Sequence, residues 1–174
     1  MADFSALGQA TFYADVYQSL GHSVSLRLFV DSNEHVRVVK EYWKDFPHLH
    51  AQCFHGDLAK NEASIMTPAH LIDRLLFQGK TSFVKTSYQY FRSHYSYMLQ
   101  PHVQVVGSVH GPMQCMLKGI CAQCLQWQID PQTGARTKAV YSCSWQDQPL
   151  TLVDLDHAVA RTQNSSGLDK LYLQ

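Results

Sequence analysis

The first 118 residues alternate between helix-like and strand-like patterns, and this alternation restricts the fold more than any other feature of the sequence. Apolar residues recur at helical spacing over 4–20 and 34–46, whereas 23–31 is a short apolar run. The predicted elements are a helix at 4–20, a strand at 23–31, a helix at 34–46, a strand at 48–56, a helix at 66–79, a strand at 82–86, a helix ending near Leu99, a strand at 102–109 and a helix opening at 111–120. This order predicts an α/β fold, a Rossmann-like three-layer structure with a parallel sheet between two layers of helices.

No strand pattern precedes the first predicted helix. A doubly wound domain ordinarily opens with a strand, and the turn after that strand binds phosphate. Here "SALGQA" leads straight into the helix. We therefore expect residues 1–110 to form an α/β domain that is a fragment lacking its first strand. The alternative is a complete sheet that is one strand short.

The composition favours a soluble cytoplasmic protein. Hydrophobic residues make up 45% of the 174 positions, which is enough for the core of one domain. The 14 basic and 14 acidic side chains give a formal net charge of zero, so we expect neither nucleic acid nor a membrane surface as a partner. No apolar run approaches the length of a membrane span, and the start lacks the features of a signal peptide. In a chain that is not exported, clustered cysteines indicate metal ligands or redox thiols.

Four cysteines are clustered in the C-terminal part of the chain. Cys115, Cys121 and Cys124 lie within ten positions, and Cys143 follows after 18 residues. Between the last two, "DPQTG" is a strong turn signal flanked by β-favouring residues, which predicts a hairpin. Such a hairpin would bring all four thiolates together, and four clustered thiolates hold zinc or an iron–sulfur cluster.

The spacing of these cysteines favours iron over zinc. The pattern C-x5-C-x2-C-x18-C resembles the three-plus-one spacing of plant-type [2Fe–2S] ferredoxins, with one residue added in the first gap. Structural zinc sites more often pair two short C-x2-4-C units. Two other interpretations stay open, namely packed small hydrophobes and a redox dithiol at "CAQC". Cys53 lies in a predicted strand, and we expect it to be a core residue.

Several segments resemble flavoproteins of the ferredoxin–NADP reductase type. "VVGSVHGPMQCML" is similar to the last strand and loop of their nucleotide domain, where the strand ends in Cys-Gly-Pro-x-x-Met. Here Gly107, Pro112 and Met113 remain, and Ser108 lies near the position of the nicotinamide-facing cysteine. The cysteine segment is similar to the cluster-binding tail of the electron-transfer subunit of dihydroorotate dehydrogenase. "CAQCLQWQIDPQTG", "YSCSWQDQPL" and "VDLDHAVARTQNSSGLDKL" resemble the end of bacterial FAD/NAD-binding oxidoreductases that join a glutamate-synthase-small-subunit-like part to a ferredoxin-reductase-like part.

The resemblance implies an electron-transfer module. NADH or NADPH would dock on residues 1–110 as a pyridine-nucleotide-binding domain, residues 111–145 would hold a [2Fe–2S] cluster, and residues 146–174 would form a helical tail. The family's FAD sits on a β-barrel domain that these 174 residues do not contain. A flavin-binding domain or subunit and a redox partner protein would therefore be the partners, and the chain would not be active alone.

The resemblance also implies four nucleotide-site residues. Gly8, at the start of the first helix, would admit the pyrophosphate to the helix N-terminus. Asp31, at the end of the next strand, would accept a ribose hydroxyl. Gly107 and Ser108 would lie near the nicotinamide. Plainer interpretations exist as well: a turn for Gly8, a surface residue for Asp31 and a tight strand exit for Gly107.

A second hypothesis comes from another class of protein. Four thiolates could hold zinc and merely fix the C-terminal hairpin of an α/β interaction domain without catalysis. Colour separates the two hypotheses, because zinc is spectroscopically silent whereas a [2Fe–2S] protein is red-brown.

Overall fold

The computed structural model describes residues 1–61, 72–110, 125–142, 145 and 147–164. The strands and helices, in chain order, are β1 (Ala2–Asp3), α1 (Leu7–Ser19), β2 (Leu26–Val30), α2 (Asn33–Tyr42), β3 (Ala51–His55), β4 (Ile72–Lys80), α3 (Thr81–Tyr95), β5 (Leu99–His110), β6 (Leu125–Ile129), β7 (Arg136–Tyr141), β8 (Gln148–Pro149) and α4 (Leu155–Asn164). Short 3-10 turns occupy Phe4–Ala6, Trp43–Asp45, Ala59–Asn61, Ser96–Met98 and Leu150–Leu152. Among the described residues, no helix is both long and apolar enough to cross a membrane.

Six strands form one mostly parallel sheet in the order β3-β2-β1-β4-β5-β8. The strands from β1 to β5 run parallel, and β8 pairs with β5 in the antiparallel sense. The chain moves outward from β1 to β3 and then returns to the other side of β1 to begin β4. This arrangement confirms the α/β class and the parallel sheet. The strands β6 and β7 form a separate antiparallel pair.

The centre of the large sheet is the two-residue strand β1. Ala2 lies between Leu28 of β2 and Gln78 of β4. The carbonyl of Met1 extends this pairing by accepting a hydrogen bond from the N–H of Gln78 (2.9 Å). The prediction that no strand precedes the first helix is therefore wrong. Two residues are too few to show a strand pattern, and their pairing depends on partners far along the chain.

The two faces of the sheet carry separate hydrophobic cores. Phe77 and Phe91 belong to the core under α3 and α4, and each is at most 1% exposed. Leu28 and Val39 belong to the core on the other face, under α1 and α2. Successive strand residues point to opposite faces, so Phe29, next to Leu28 in β2, lies in the first core.

The prediction of a helix at 66–79 is wrong where the structure describes this part of the chain. Residues 62–71 lie outside the described residues, and Ile72–Lys80 forms the strand β4. Gly79, which the sequence pattern indicates as a helix stop, lies near the end of this strand. β4 has neighbours on both sides, β1 and β5, so backbone pairing stabilises the strand over the helix that the local signals favour.

The predicted strand at 82–86 is also wrong, because α3 covers Thr81–Tyr95. The predicted helix toward Leu99 is confirmed as far as Tyr95. Its buried aromatic residues include Tyr88 and Phe91, three positions apart on one helix face. The aromatic residues of this stretch therefore line the core-facing side of a helix.

The predicted hairpin is confirmed by β6 and β7. Leu125 pairs with Tyr141 at its open end. In the connecting turn, the carboxyl of Asp130 accepts hydrogen bonds from the N–H of Gln132 (2.9 Å) and the hydroxyl of Thr133 (3.0 Å). These hydrogen bonds lower the pKa of Asp130, which shows how the "DPQTG" signal acts locally.

Buried glutamines join the hairpin to the large sheet. Gln148 of β8 is 1% exposed, and its amide donates a hydrogen bond to Oε1 of Gln126 (2.7 Å). The amide of Gln128 in turn donates to Oε1 of Gln148 (3.4 Å). Because buried amides are costly unless they are hydrogen-bonded, these contacts help to fix where the hairpin sits.

The helix α4 lies in the predicted helical tail and packs against α3. Leu155 and Ala158 of α4 are buried in this contact region. Across it, Nζ of Lys85 lies 2.5 Å from Oδ1 of Asp156. A helix in the tail is thus confirmed for the described residues.

Candidate functional site

The carboxyl ends of the five parallel strands lie at one edge of the sheet, called here the carboxyl edge. In open α/β sheets, ligands bind outside this edge at the switch point, where the strand order reverses. The switch point of this sheet lies between β1 and β4, because β1 connects outward to β2 on one side and β4 to β5 on the other. The candidate site is therefore the part of the carboxyl edge around the turns that follow β1 and β4.

The side chain of Asp3, the last residue of β1, joins the turn after β1 to the end of β4. Its Oδ1 accepts hydrogen bonds from the N–H (2.9 Å) and the hydroxyl of Ser5, in the turn after β1. Its Oδ2 accepts a hydrogen bond from the N–H of Lys80, at the end of β4 (2.8 Å). A carboxylate thus spans the switch point. Asp3 is absent from the predicted site residues, because an Asp shortly before a Ser indicates only a local turn.

Gly79 leaves the room that this carboxylate occupies. Its φ is 144°, a backbone conformation that residues with a side chain rarely adopt. A Cβ at this position would lie 2.5 to 2.7 Å from atoms of the Asp3 carboxyl group. The glycine at the end of β4 and the acid at the end of β1 therefore depend on each other.

Gly8 lies on the surface of the first turn of α1, not at the first helical residue. The 3-10 turn Phe4–Ala6 precedes α1, so helical backbone begins before Gly8. The N–H of Ser5 in that turn donates to Asp3. A Cβ at Gly8 would have as its nearest neighbour Oη of Tyr42, at 4.0 Å, so there is room for a side chain. Packing alone therefore does not require this glycine.

Asp31 directly follows β2 at the carboxyl edge and is exposed. Its carbonyl accepts a hydrogen bond from Nε2 of His55, at the end of β3 (3.2 Å). The next residue, Ser32, caps α2 by accepting a hydrogen bond from the N–H of His35 (3.1 Å). The His35 ring stacks on Phe4 with ring centroids 3.8 Å apart. The structure thus places Asp31 beside the switch point, at the strand end where an acid can bind ribose hydroxyls.

Gly107 and Ser108 are neighbours in β5 and point to opposite faces of the sheet. Gly107 lies under Leu150, and a Cβ on it would be 2.3 Å from Cδ2 of Leu150. Ser108 is 3% exposed and lies on the face covered by α1, where Nε2 of Gln9 donates to its hydroxyl (3.4 Å). The structure therefore brings Ser108 toward the α1 side of the site and assigns Gly107 to packing.

Replacing Gly107 with alanine will lower the free energy of unfolding by about 1–3 kcal/mol, the usual cost of forcing a methyl group into a filled core. Leu150 has little space to move, because it is 2% exposed. Urea unfolding will measure the effect. Gly8→Ala is the matched control, and we expect it to be neutral or to stabilise by up to about 1 kcal/mol. A wild-type unfolding midpoint for Gly107→Ala would contradict the packing role.

A row of polar side chains extends from Ser108 beneath α1. Gln78 of β4 is its neighbour in register, and Asp147 lies just before β8. Tyr13 of α1 lies near Asp147 and Gln9, and burial, followed by the charge of Asp147, raises the pKa of Tyr13. Gln78 is 2% exposed, and within the described part of the chain its Nε2 has no hydrogen-bond partner. These residues carry no spaced motif, so the sequence alone does not indicate them.

The four clustered cysteines, Cys115, Cys121, Cys124 and Cys143, lie outside the described residues. Within the residues that the structure does describe, no group of His, Cys, Asp and Glu could hold a metal ion. Cys53 is half-buried in β3 and packs against the core under α1 and α2, as expected for a core residue. Burial raises the pKa of its thiol, which makes it a poor nucleophile.

Comparison with known proteins assigns neither a family nor a function to this chain. Neither a protein-family model nor a solved structure matches the chain. An uncharacterised protein of Rickettsia prowazekii (strain Madrid E) is 30% identical over 70 residues, which cover 40% of this chain and 9% of that protein. The match therefore spans a small part of the relative, and it assigns no function.

Proposed function

We propose that this chain is the electron-transfer module of a flavin-dependent NAD(P)H oxidoreductase, with a [2Fe–2S] cluster on Cys115, Cys121, Cys124 and Cys143. In this role it passes electrons between a flavin held by a partner domain or subunit and a redox partner protein. A cluster bound there supplies one-electron transfer, and the protein supplies the thiolates and their surroundings.

The register of β6 and β7 is the observation that best supports the cysteine site. Leu125 lies opposite Tyr141 at the open end of the hairpin. Cys124 directly precedes Leu125 in the sequence, and Cys143 follows Tyr141 by two residues. Because paired strands lie about 5 Å apart, the chain enters and leaves the hairpin at neighbouring points. This pairing favours a site that the last two thiols share.

The other two cysteines belong to the connection between the large sheet and the hairpin. His110 ends β5 at the carboxyl edge, and Leu125 begins β6. Cys115 and Cys121 fall between these two residues in the sequence. The cysteine segment therefore starts from the edge of the sheet at which a nucleotide would bind, as electron transfer between the two sites requires.

The carboxyl edge can bind the ribose of a nicotinamide nucleotide, but it does not fit the diphosphate at the N-terminus of α1. Asp31 can accept hydrogen bonds from ribose hydroxyls. The N-terminus of α1 does not fit a diphosphate, because the Asp3 carboxylate already binds the backbone amides of Ser5 and Lys80. We therefore propose that Asp31 binds NAD(P)H through its ribose. We assign Gly8 no contact with the nucleotide.

The test is the visible spectrum and metal content of the chain purified without oxygen. We expect bands between about 400 and 550 nm that dithionite bleaches, with about two irons per chain. Cys124→Ser and Cys143→Ser will lose both the bands and the iron. Cys53→Ser is the matched control and will keep them, because Cys53 lies in the core of the sheet domain.

Two outcomes contradict the proposal. Colourless protein with about one zinc per chain would favour a zinc-stapled interaction domain, since the same hairpin register also suits a structural zinc site. Colourless protein that takes up neither metal, even after anaerobic reconstitution with iron and sulfide, would exclude a four-cysteine site of either kind.

A further inference from the structure

We infer that Asp3 is a specificity-determining residue that excludes phosphate groups from the switch point. Phosphate binding at this place in α/β folds depends on backbone N–H groups after the first strand and on the positive end of the first helix. In this protein a carboxylate of the chain itself occupies that place. Asp3 acts in this way whether or not the cysteines hold a cluster.

Asp3 binds the amides that a phosphate would need. The N–H of Ser5 donates to its Oδ1 at 2.9 Å, and the N–H of Lys80 donates to its Oδ2 at 2.8 Å. These two amides come from the turn after β1 and from the last residue of β4, on the two sides of the switch point. A phosphate would have to break both hydrogen bonds and approach a negative charge at close range.

The surroundings of Asp3 hold its carboxylate in place. Its backbone is fixed in the sheet opposite Phe29 of β2. On the β4 side, the Gly79 backbone lies so close that a Cβ would come within 2.7 Å of the carboxyl atoms. The hydroxyl of Ser5 adds a third hydrogen bond. The carboxylate is therefore fixed at the carboxyl edge of the sheet and is not a freely rotating surface charge.

A ligand at this edge, including the NAD(P)H of the proposed function, must therefore hold its phosphates away from the Asp3 carboxylate. Asp31 remains exposed at the end of β2 and can bind ribose hydroxyls. The ring of Phe4, in the turn after β1, stacks on the ring of His35, in the first turn of α2. Uncharged or cationic groups can approach Asp3 without the repulsion that a phosphate meets.

Inorganic pyrophosphate is the probe, titrated into the full chain at low ionic strength and followed by calorimetry. Wild-type protein will show no saturable binding at millimolar pyrophosphate. Asp3→Ser will bind at least about tenfold more tightly, because the charge is gone and the Lys80 amide is unpaired, and added salt will weaken this binding. Asp57→Ser is the matched control: Asp57 also follows a strand at the carboxyl edge and accepts a backbone hydrogen bond, from Lys60 (3.0 Å).

A second variant keeps the test decisive if Asp3→Ser does not fold. Asp3→Asn removes the charge but keeps a side-chain oxygen that can accept one of the two backbone hydrogen bonds. Far-UV circular dichroism will show which variants are folded. Two results would each overturn the role of Asp3: an equal gain in affinity in Asp57→Ser, or no gain in affinity in a folded Asp3 variant.

Discussion

Replacing Gly79 with alanine will lower the free energy of unfolding by about 3 kcal/mol or more, because two separate costs add. The first is backbone strain, since φ at Gly79 is 144°. The second is the overlap with Asp3, whose carboxyl atoms lie 2.5 to 2.7 Å from the position of the new Cβ. To make room, Asp3 must give up its hydrogen bonds to Ser5 and Lys80. Urea unfolding will give the difference from wild type.

Gly134→Ala separates the two costs. Gly134 has a φ of 71° in the turn between β6 and β7, and a Cβ there would meet nothing within 4 Å. We expect Gly134→Ala to lower the free energy of unfolding by about 1 kcal/mol, through backbone strain alone. In an Asp3→Ala background the overlap at Gly79 disappears, so the double variant will be more stable than additivity predicts by about 1–2 kcal/mol. Equal losses for Gly79→Ala and Gly134→Ala would contradict the contact with Asp3.

The sequence predicts those parts of the fold in which local signals and tertiary structure agree. The strand at Leu26–Val30 and the hairpin around Asp130 are of this kind, because apolar runs and turn residues mark them directly. Over Ile72–Lys80, in contrast, the apolar residues fit a helix as well as a strand. Pairing with β1 and β5 decides between the two, and no local pattern contains that information.

The same distinction applies to the candidate site. Asp31 could be predicted, because a residue that ends a strand before a helix reaches the carboxyl edge in any parallel sheet. The contact between Asp3 and Lys80 joins residues 77 positions apart, so it follows only from the strand order. Gln78 and Asp147 likewise come together with Ser108 through the sheet. The cysteine site lies outside the described residues and stays a prediction.

In protein that begins with Met1 and carries a free amine there, stability will rise with pH between about 5 and 8, by up to about 4 kcal/mol. The amine of Met1 is partly buried and donates a hydrogen bond to the carbonyl of Leu76 in β4 (2.7 Å). Burial first, and then the positive charge of Arg27, lowers the pKa of this amine from 8.0 to about 5. Folding therefore favours the uncharged amine.

The direction of the effect follows from the protons that each state binds. Between pH 5 and 8 the amine of the unfolded chain is still largely protonated, whereas that of the folded chain has lost its proton. Raising the pH removes the proton from the unfolded state and so stabilises the folded state until pH 8 is passed. Three pKa units at about 1.4 kcal/mol each give the expected total. Below pH 5 the amine is protonated in both the folded and the unfolded state. The folded state then bears the full cost of burying the charged amine.

A stability curve sums over all titrating groups of the chain, so the amine itself must be observed. In protein labelled with 13C at methionine Cα, the Met1 signal will titrate with a midpoint near 5. Arg27→Gln will move this midpoint upward, because it removes the second cause of the shift and leaves burial in place. A midpoint near 8 in wild-type protein would show that the amine is solvated. It would also contradict the pairing of β1 with β4, since the amine is held against Leu76 by the same contact that places Ala2 beside Gln78.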